Sequence, residues 1–115
     1  MKRVLFLGLA LVYHFSYSQV DRIQILENRL TEIESEVPGL NSEVDFTLNA
    51  APVRELLRAM AETNNLNINV RNLPDLVITN NFKNVTVKDV LIFLSREYRL
   101  DIEFVNNILT VKPYR

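Results

Sequence analysis

Residues 53–70 of this chain recur in pattern 34 residues later. Val53-Arg54-Glu55-Leu56-Leu57 answers to Val87-Lys88-Asp89-Val90-Leu91, and Leu66-Asn67-Ile68-Asn69-Val70 answers to Leu100-Asp101-Ile102-Glu103-Phe104. Leu48 falls on Phe82 at the same offset. Equivalent apolar positions must be buried twice, so one structural unit serves in both places. Two copies make a duplication and not a solenoid, which needs three or more repeats. The 115 residues leave room for one domain built from both copies.

Each copy reads strand, helix, strand. In the first, Val44-Asp45-Phe46-Thr47-Leu48 alternates apolar and polar residues, as a half-buried strand does. Pro52 is preorganised for a helix start, and Val53, Leu56, Leu57, Met60 and Ala61 form one apolar stripe after it. Asn64-Asn65 ends that helix, since asparagine tolerates the left-handed conformation found there. Leu66 to Val70 alternates as a strand, and Arg71 to Asp75 is a turn. In the second copy Leu76 to Phe82 is a strand, and Thr86 with Asp89 forms a capping box with aspartate in the glutamate position. The helix stripe is Val87, Val90, Leu91, Leu94 and Tyr98. Leu100 to Phe104 and Ile108 to Val111 then make a hairpin around Asn106-Asn107. The expected architecture is α+β, in the order β-α-β-β-α-β-β.

Ile92 and Phe93 lie off the second stripe, where the first helix has Arg58 and Ala59. Either a second layer covers that side, or it meets a partner. Burial is the preferred account, because large exposed apolar patches are uncommon on monomers.

Ahead of the duplication, residues 21–37 read as an amphipathic helix. Ile23, Leu26, Leu30, Ile33 and Val37 are spaced 3, 4, 3, 4, Asp21 caps the start, and Pro38-Gly39 stops it. Two heptads fall short of a coiled coil. The seam Ile23, Leu26, Leu30 and Ile33 therefore docks either on its own domain or on a partner, and both readings stay open. With the linker to Glu43 this segment occupies 19–43, and the globular part occupies 44–115.

The first residues read as an export signal. Lys2 and Arg3 precede an apolar run from Val4 to Tyr13, and Ser16 and Ser18 give the small-x-small pattern of a cleavage site. Residues 1–18 are expected to be removed between Ser18 and Gln19. The run is half the roughly twenty apolar residues a spanning helix needs.

Composition narrows the function. Of 13 Lys+Arg and 14 Asp+Glu, Lys2 and Arg3 leave with the signal, so 11 against 14 gives the mature chain a net charge of −3. That disfavours nucleic acid, which needs clustered basic charge. There is no cysteine, and the only histidine is His14, within the signal segment. Thiolate and imidazole chemistry, and the metal sites built from them, are thereby removed. Asp45, Asp101 and Glu103 alternate on strands and read as solvated faces rather than paired catalytic acids. Neither a catalytic nor a cofactor site is expected.

The proline before a Leu-Leu helix, Leu66-Asn67-Ile68-Asn69-Val70, Ile78-Thr79, and Phe82-Lys83-Asn84-Val85-Thr86-Val87 leading to Val90-Leu91 together resemble the secretin and TonB N-terminus short domain. The resemblance covers residues 44–112. Helix 21–37 running into Val37-Pro38-Gly39-Leu40 looks most like the start of secretin-type outer-membrane proteins of Bacteroidetes-like bacteria. The resemblance implies two helices packed with two small sheets and no catalytic residues. It also implies a periplasmic module that contacts inner-membrane partners or neighbouring subunits, with self-association in a ring as one form. The alternative within the family is the signalling domain of a TonB-dependent receptor, against which the leading helix speaks. The family often carries glycine where Asn65 and Arg99 stand, so the Arg99 turn is expected to be built differently. Association with the outer membrane would require a longer chain or a complex, and the sequence is expected to be the N-terminal piece of a longer protein. Partner-facing candidates are Ile23, Leu26, Leu30, Ile33, Ile92 and Phe93.

If the first residues are an export signal, N-terminal sequencing of the protein recovered from the envelope should begin at Gln19 or within a residue or two of it. An intact Met1 on that material contradicts cleavage.

Overall fold

The computed structural model describes residues 21–114; the cleavage site at Ser18 and Gln19 lies outside them. Residues 21–33 form helix α1, and a 3-10 turn follows at Pro38–Asn41. The remaining elements are β1 (Glu43–Pro52), α2 (Val53–Thr63), β2 (Ile68–Val70), β3 (Val77–Thr86), α3 (Val87–Tyr98), β4 (Leu100–Val105) and β5 (Ile108–Pro113). The chain is α+β, with two small sheets, in the order the sequence predicts. β1 and β3 form an antiparallel ribbon, and the second sheet has the order β2-β5-β4.

Neither copy pairs its own two strands. β1 of the first copy pairs with β3 of the second, and β2 of the first runs parallel to β5, which also pairs with β4. Each copy is therefore completed by the other. The offset of 34 carries β1 onto β3 residue for residue, and carries α2 onto all but the last residue of α3.

The ribbon is built around a pseudo-twofold axis. Thr47 and Asn81 are equivalent positions and also cross-strand partners, and the Thr47 hydroxyl donates to Asn81 Oδ1 at 3.1 Å. Register shifts flank them on either side, between Val44 and Phe46 and between Leu48 and Ala51. At one, Asn84 (φ 54) gives its N–H to Asp45 Oδ1 at 2.9 Å. At the other, Ala50 (φ 49) gives its N–H to Thr79 Oγ1 at 2.8 Å. Asn84 is the equivalent of Ala50, and Thr79 of Asp45. Both shifts are thus one bulge made twice, a left-handed residue opposite a side chain that accepts its N–H. Asn65 (φ 55) with Arg99 (φ 51) and Asn72 (φ 53) with Asn106 (φ 54) are two further pairs 34 apart. The backbone keeps the duplication where the side chains have diverged.

Arg99 does adopt the left-handed conformation, which corrects the expectation that this turn is built some other way. It closes α3 by donating its N–H to the Ser95 carbonyl, and its own carbonyl accepts from Tyr114 N–H at 2.9 Å. The surroundings hold a residue there that its side chain disfavours. The capping box is present in full: Thr86 Oγ1 accepts from Asp89 N–H, and Asp89 Oδ2 accepts from Thr86 N–H, each at 3.1 Å.

Several boundaries differ from the sequence reading. α1 ends at residue 33 and not 37; a turn follows, and Val37 ahead of Pro38 is non-helical (φ −127, ψ 75). The stretch read as a linker is the 3-10 turn, and its Leu40 is fully buried. β1 and β3 each run four residues past the expected end, because their bulges let pairing continue. Pro52 ends a strand and caps α2 instead of entering it. β2 is shorter than expected, since Asn65 and the Leu66 N–H bond to Ala61 O close α2 first.

The core fills the space between the helices and both sheets. Leu57 and Leu91, equivalent positions, are both buried, as are Val53 and Val87, Leu40, Leu100 and Val111. Ser95 is the one buried polar side chain among the described residues, and its hydroxyl donates to Leu91 O at 2.9 Å. Gly39 fits because it lacks a side chain: a Cβ there would collide with the Asn64 carbonyl oxygen and Leu66.

Leu57→Ala or Leu91→Ala should each cost about 2–5 kcal/mol, measured by denaturant unfolding. Two parent-like midpoints would contradict the shared core. Arg99→Gly should raise stability by up to about 1 kcal/mol, because glycine meets no Cβ penalty at positive φ. A lowered melting temperature would contradict that account of the turn.

Candidate partner interface at the sheet edges

An interaction domain without catalytic groups must present either apolar surface or unpaired backbone. The seam Ile23, Leu26, Leu30 is buried, and Ile33 packs partly on the core. α1 thus docks on its own domain. Ile92 is buried at 9% exposure. Phe93 is half-buried, with its ring set edge-on to Phe82 at 5.3 Å between centroids. Within the folded chain these six positions belong to the core or its margin. The remaining surface consists of the backbone edges and the exposed apolar side chains Ile25, Val77, Val105 and Ile108.

The hairpin turn Asn106-Asn107 fixes which groups face outward. Val105 pairs with Ile108 across that turn, so alternation directs the N–H and C=O of Leu100, Ile102 and Phe104 away from β5. Arginines of α1 occupy that edge. Arg22 donates to Leu100 O at 2.9 Å, and Arg29 to Ile102 O at 2.8 Å. The two arginines are seven residues apart and so lie on one side of the helix. Arg22 also donates to Ser95 O at 3.1 Å, a carbonyl of α3's last turn, where cations are favoured. Its guanidinium stacks on the Tyr114 ring at 4.5 Å. Arg22 therefore clamps the Arg99 turn from both sides. Lys88 pairs with Glu34 at 2.8 Å beyond the other end of α1, and that hydrogen bond holds the Glu34 carboxyl below its ordinary range.

The ribbon edges of β1 and β3 carry the two bulges, which interrupt the flat row of groups a new strand would need. β2 is different. Leu109 N–H bonds to Asn67 O and Arg71 N–H to Val111 O, so residues 67, 69 and 71 face β5. The N–H and C=O of Ile68 and Val70 face outward. No backbone hydrogen bond among the described residues outside helices and strand ladders ends on them. Their side chains are half-buried at the rim of the core.

A shallow groove of about 820 Å³ opens beside this edge, where apolar Leu66, Ile68, Val105 and Ile108 alternate with asparagines of β2 and the hairpin turn and with Arg71. Val105 is 60% exposed and Ile108 41%, and they are cross-strand partners at the hairpin tip. Arg71 reaches both this groove and a smaller cleft beside Asp101, Lys112 and Tyr114. In the same face Lys112 pairs with Glu103 and holds that carboxyl below its ordinary range.

Sequence reasoning missed this edge because a free edge depends on strand order, which periodicity does not supply. Arg22 and Arg29 lie off the apolar seam of the helix. Their heptad separation was legible, but the carbonyls they meet lie more than seventy positions away. No group of three or more acidic or histidine side chains among the described residues could hold a metal ion. No helix among them is long and apolar enough to cross a membrane.

No protein-family model matches the chain, and no curated protein matches its sequence. Among solved structures, it is similar to the crystal structure of a candidate anti-sigma factor from Parabacteroides distasonis ATCC 8503, with a TM-score of 0.57 and 12% sequence identity. The match covers 64% of this chain and 35% of that one. At that identity the likeness is one of fold.

Val70→Pro should leave stability within about 0.5 kcal/mol of the parent, because the lost N–H faces outward and proline is tolerated on edges. Asn69→Pro should cost at least about 2 kcal/mol more by removing a ladder bond. Equal losses in thermal unfolding would contradict the edge assignment.

Proposed function

We propose that this chain is an exported interaction module of the bacterial envelope. It serves a secretin-like outer-membrane secretion protein and contacts inner-membrane partners or neighbouring subunits. The observation that carries the reading is the open β2 edge beside a shallow groove of mixed polar and apolar lining, on a domain whose other edges are bulged or partly occupied. An extended segment of a partner can add to Ile68 and Val70 through main-chain hydrogen bonds, with side chains entering the groove. The leader-like N-terminus supports export. The helix ahead of the domain supports the secretin-like reading, as does the resemblance of residues 44–112. The module has no catalytic role in this reading, and its partners are proteins and not nucleic acid.

A second reading is the signalling domain of a TonB-dependent receptor or transducer. The fold shared with a candidate anti-sigma factor favours it. Both readings use the same edge and differ in the protein that occupies it.

Site-specific photo-crosslinking in intact envelopes separates them. A crosslinker at Val70 should give a discrete adduct, and one at Glu27, on the solvent face of α1, should not. An adduct with an inner-membrane secretion component, or with a second copy in a multimer, supports the secretin-like role. An adduct with a transmembrane regulator supports the signalling role. Adducts from Glu27 and none from Val70 would contradict both.

A further inference from the structure

We infer that α1 is a stopper: it occupies the β4 edge so that the β2 edge of a second copy of this chain cannot add there. The inference concerns the chain and its own copies, so it stands apart from the envelope reading.

The order β2-β5-β4 gives this sheet two different ends. β2 presents outward groups at Ile68 and Val70, and β4 presents them at Leu100, Ile102 and Phe104. Two unlike, complementary edges on one sheet are a head-to-tail contact, in which each copy adds to the next without limit unless the geometry closes a ring. The match extends to side chains. Ile68 and Val70 at the rim of β2 and Phe104 on β4 are all half-buried apolar residues that an added strand would cover.

What prevents the contact is side-chain chemistry. Arg22 and Arg29 take the Leu100 and Ile102 oxygens, the acceptors that the N–H groups of an incoming strand would use. Three buried side chains, Ile23, Leu26 and Leu30, keep the helix in place. The solvent side of α1 shows Asp21, Glu27 and Glu32 around an exposed Ile25, and the like charges of two such faces repel each other. With β4 covered, β2 can still meet the β2 of another copy, but that contact is self-complementary and ends at two. Residues 34–36 form the turn between α1 and the anchored Val37 and Leu40, so the helix can hinge there, at the cost of withdrawing Ile23, Leu26 and Leu30 from the core. Lifting it exposes a second acceptor edge and changes the assembly from closed to open-ended.

Sedimentation velocity over a concentration series tests this on the purified chain, with circular dichroism as a check on folding. The parent should stay monomeric or stop at a dimer. Arg22→Gln with Arg29→Gln should give species that grow with concentration, to a weight-average mass about fourfold or more above the parent. Adding Val70→Pro to that pair should abolish the growth, because it blocks the β2 edge without removing a ladder bond. A folded double variant that does not grow overturns the inference. Growth that persists with Val70→Pro also overturns it, since another surface would then join the copies. If the double variant does not fold, Arg29→Gln alone decides. It leaves both Arg22 bonds in place and uncovers Ile102 O. It must show growth reversed by Val70→Pro, and its failure to do so counts against the stopper.

Discussion

The pairing of β1 with β3 ties this domain together. Each copy of the duplicated unit has a strand, a helix and a strand, yet within a copy the strands never meet. A single copy would leave β1 without a partner. The ribbon solves that problem by joining the copies about an axis between Thr47 and Asn81. That symmetry constrains the rest. The bulges at Ala50 and Asn84 are equivalent, and so are the left-handed residues Asn65 and Arg99 that turn each helix back toward the second sheet. β5 has no counterpart in the first copy. By inserting between β2 and β4 it breaks the symmetry and gives the sheet two different ends.

That asymmetry sets the functional problem. A small sheet of three strands must have edges, and each edge is a place where another chain can add. This protein treats its edges by different means: bulges on the ribbon, arginine side chains on β4, and nothing on β2. The arginines do two jobs. Arg22 neutralises the carbonyl end of α3 and secures a turn that arginine at position 99 would otherwise strain, while with Arg29 it closes the edge. The segment ahead of the domain is thus part of the domain's own edge control. The exposed pair Val105 and Ile108 at the hairpin tip lies beside the one edge left open.

Much of this was legible in the sequence, for identifiable reasons. The duplication gave the element order, because apolar spacing of 2 and 3.6 changes at the same points in both copies. Thr86 and Asp89 announced the capping box, and Asn106-Asn107 the hairpin. The seam Ile23, Leu26, Leu30 announced a helix that must be covered. Three things were not legible. Strand lengths were underestimated because a bulge interrupts alternation: Asn49 and Ala50 read as the end of a strand that continues to Pro52. Arg99 read as an obstacle because its supports, Arg22 and Tyr114, are distant in sequence. The open edge at Ile68 and Val70 followed only from the strand order, and so the partner candidates chosen from apolar pattern fell on core positions.

The central claim is that β2 offers an open backbone edge, while on β4 arginine side chains take two of the outward carbonyls. Amide hydrogen exchange of the monomeric chain, followed residue by residue by NMR, addresses it directly. Asn69 and Arg71, which face β5, should be protected, while Ile68 and Val70 between them should exchange orders of magnitude faster. An alternating fast-slow pattern over these four residues is the signature of a strand with one open side. Uniform protection across residues 68–71 in the monomer would mean that the edge is already covered, and would contradict the account.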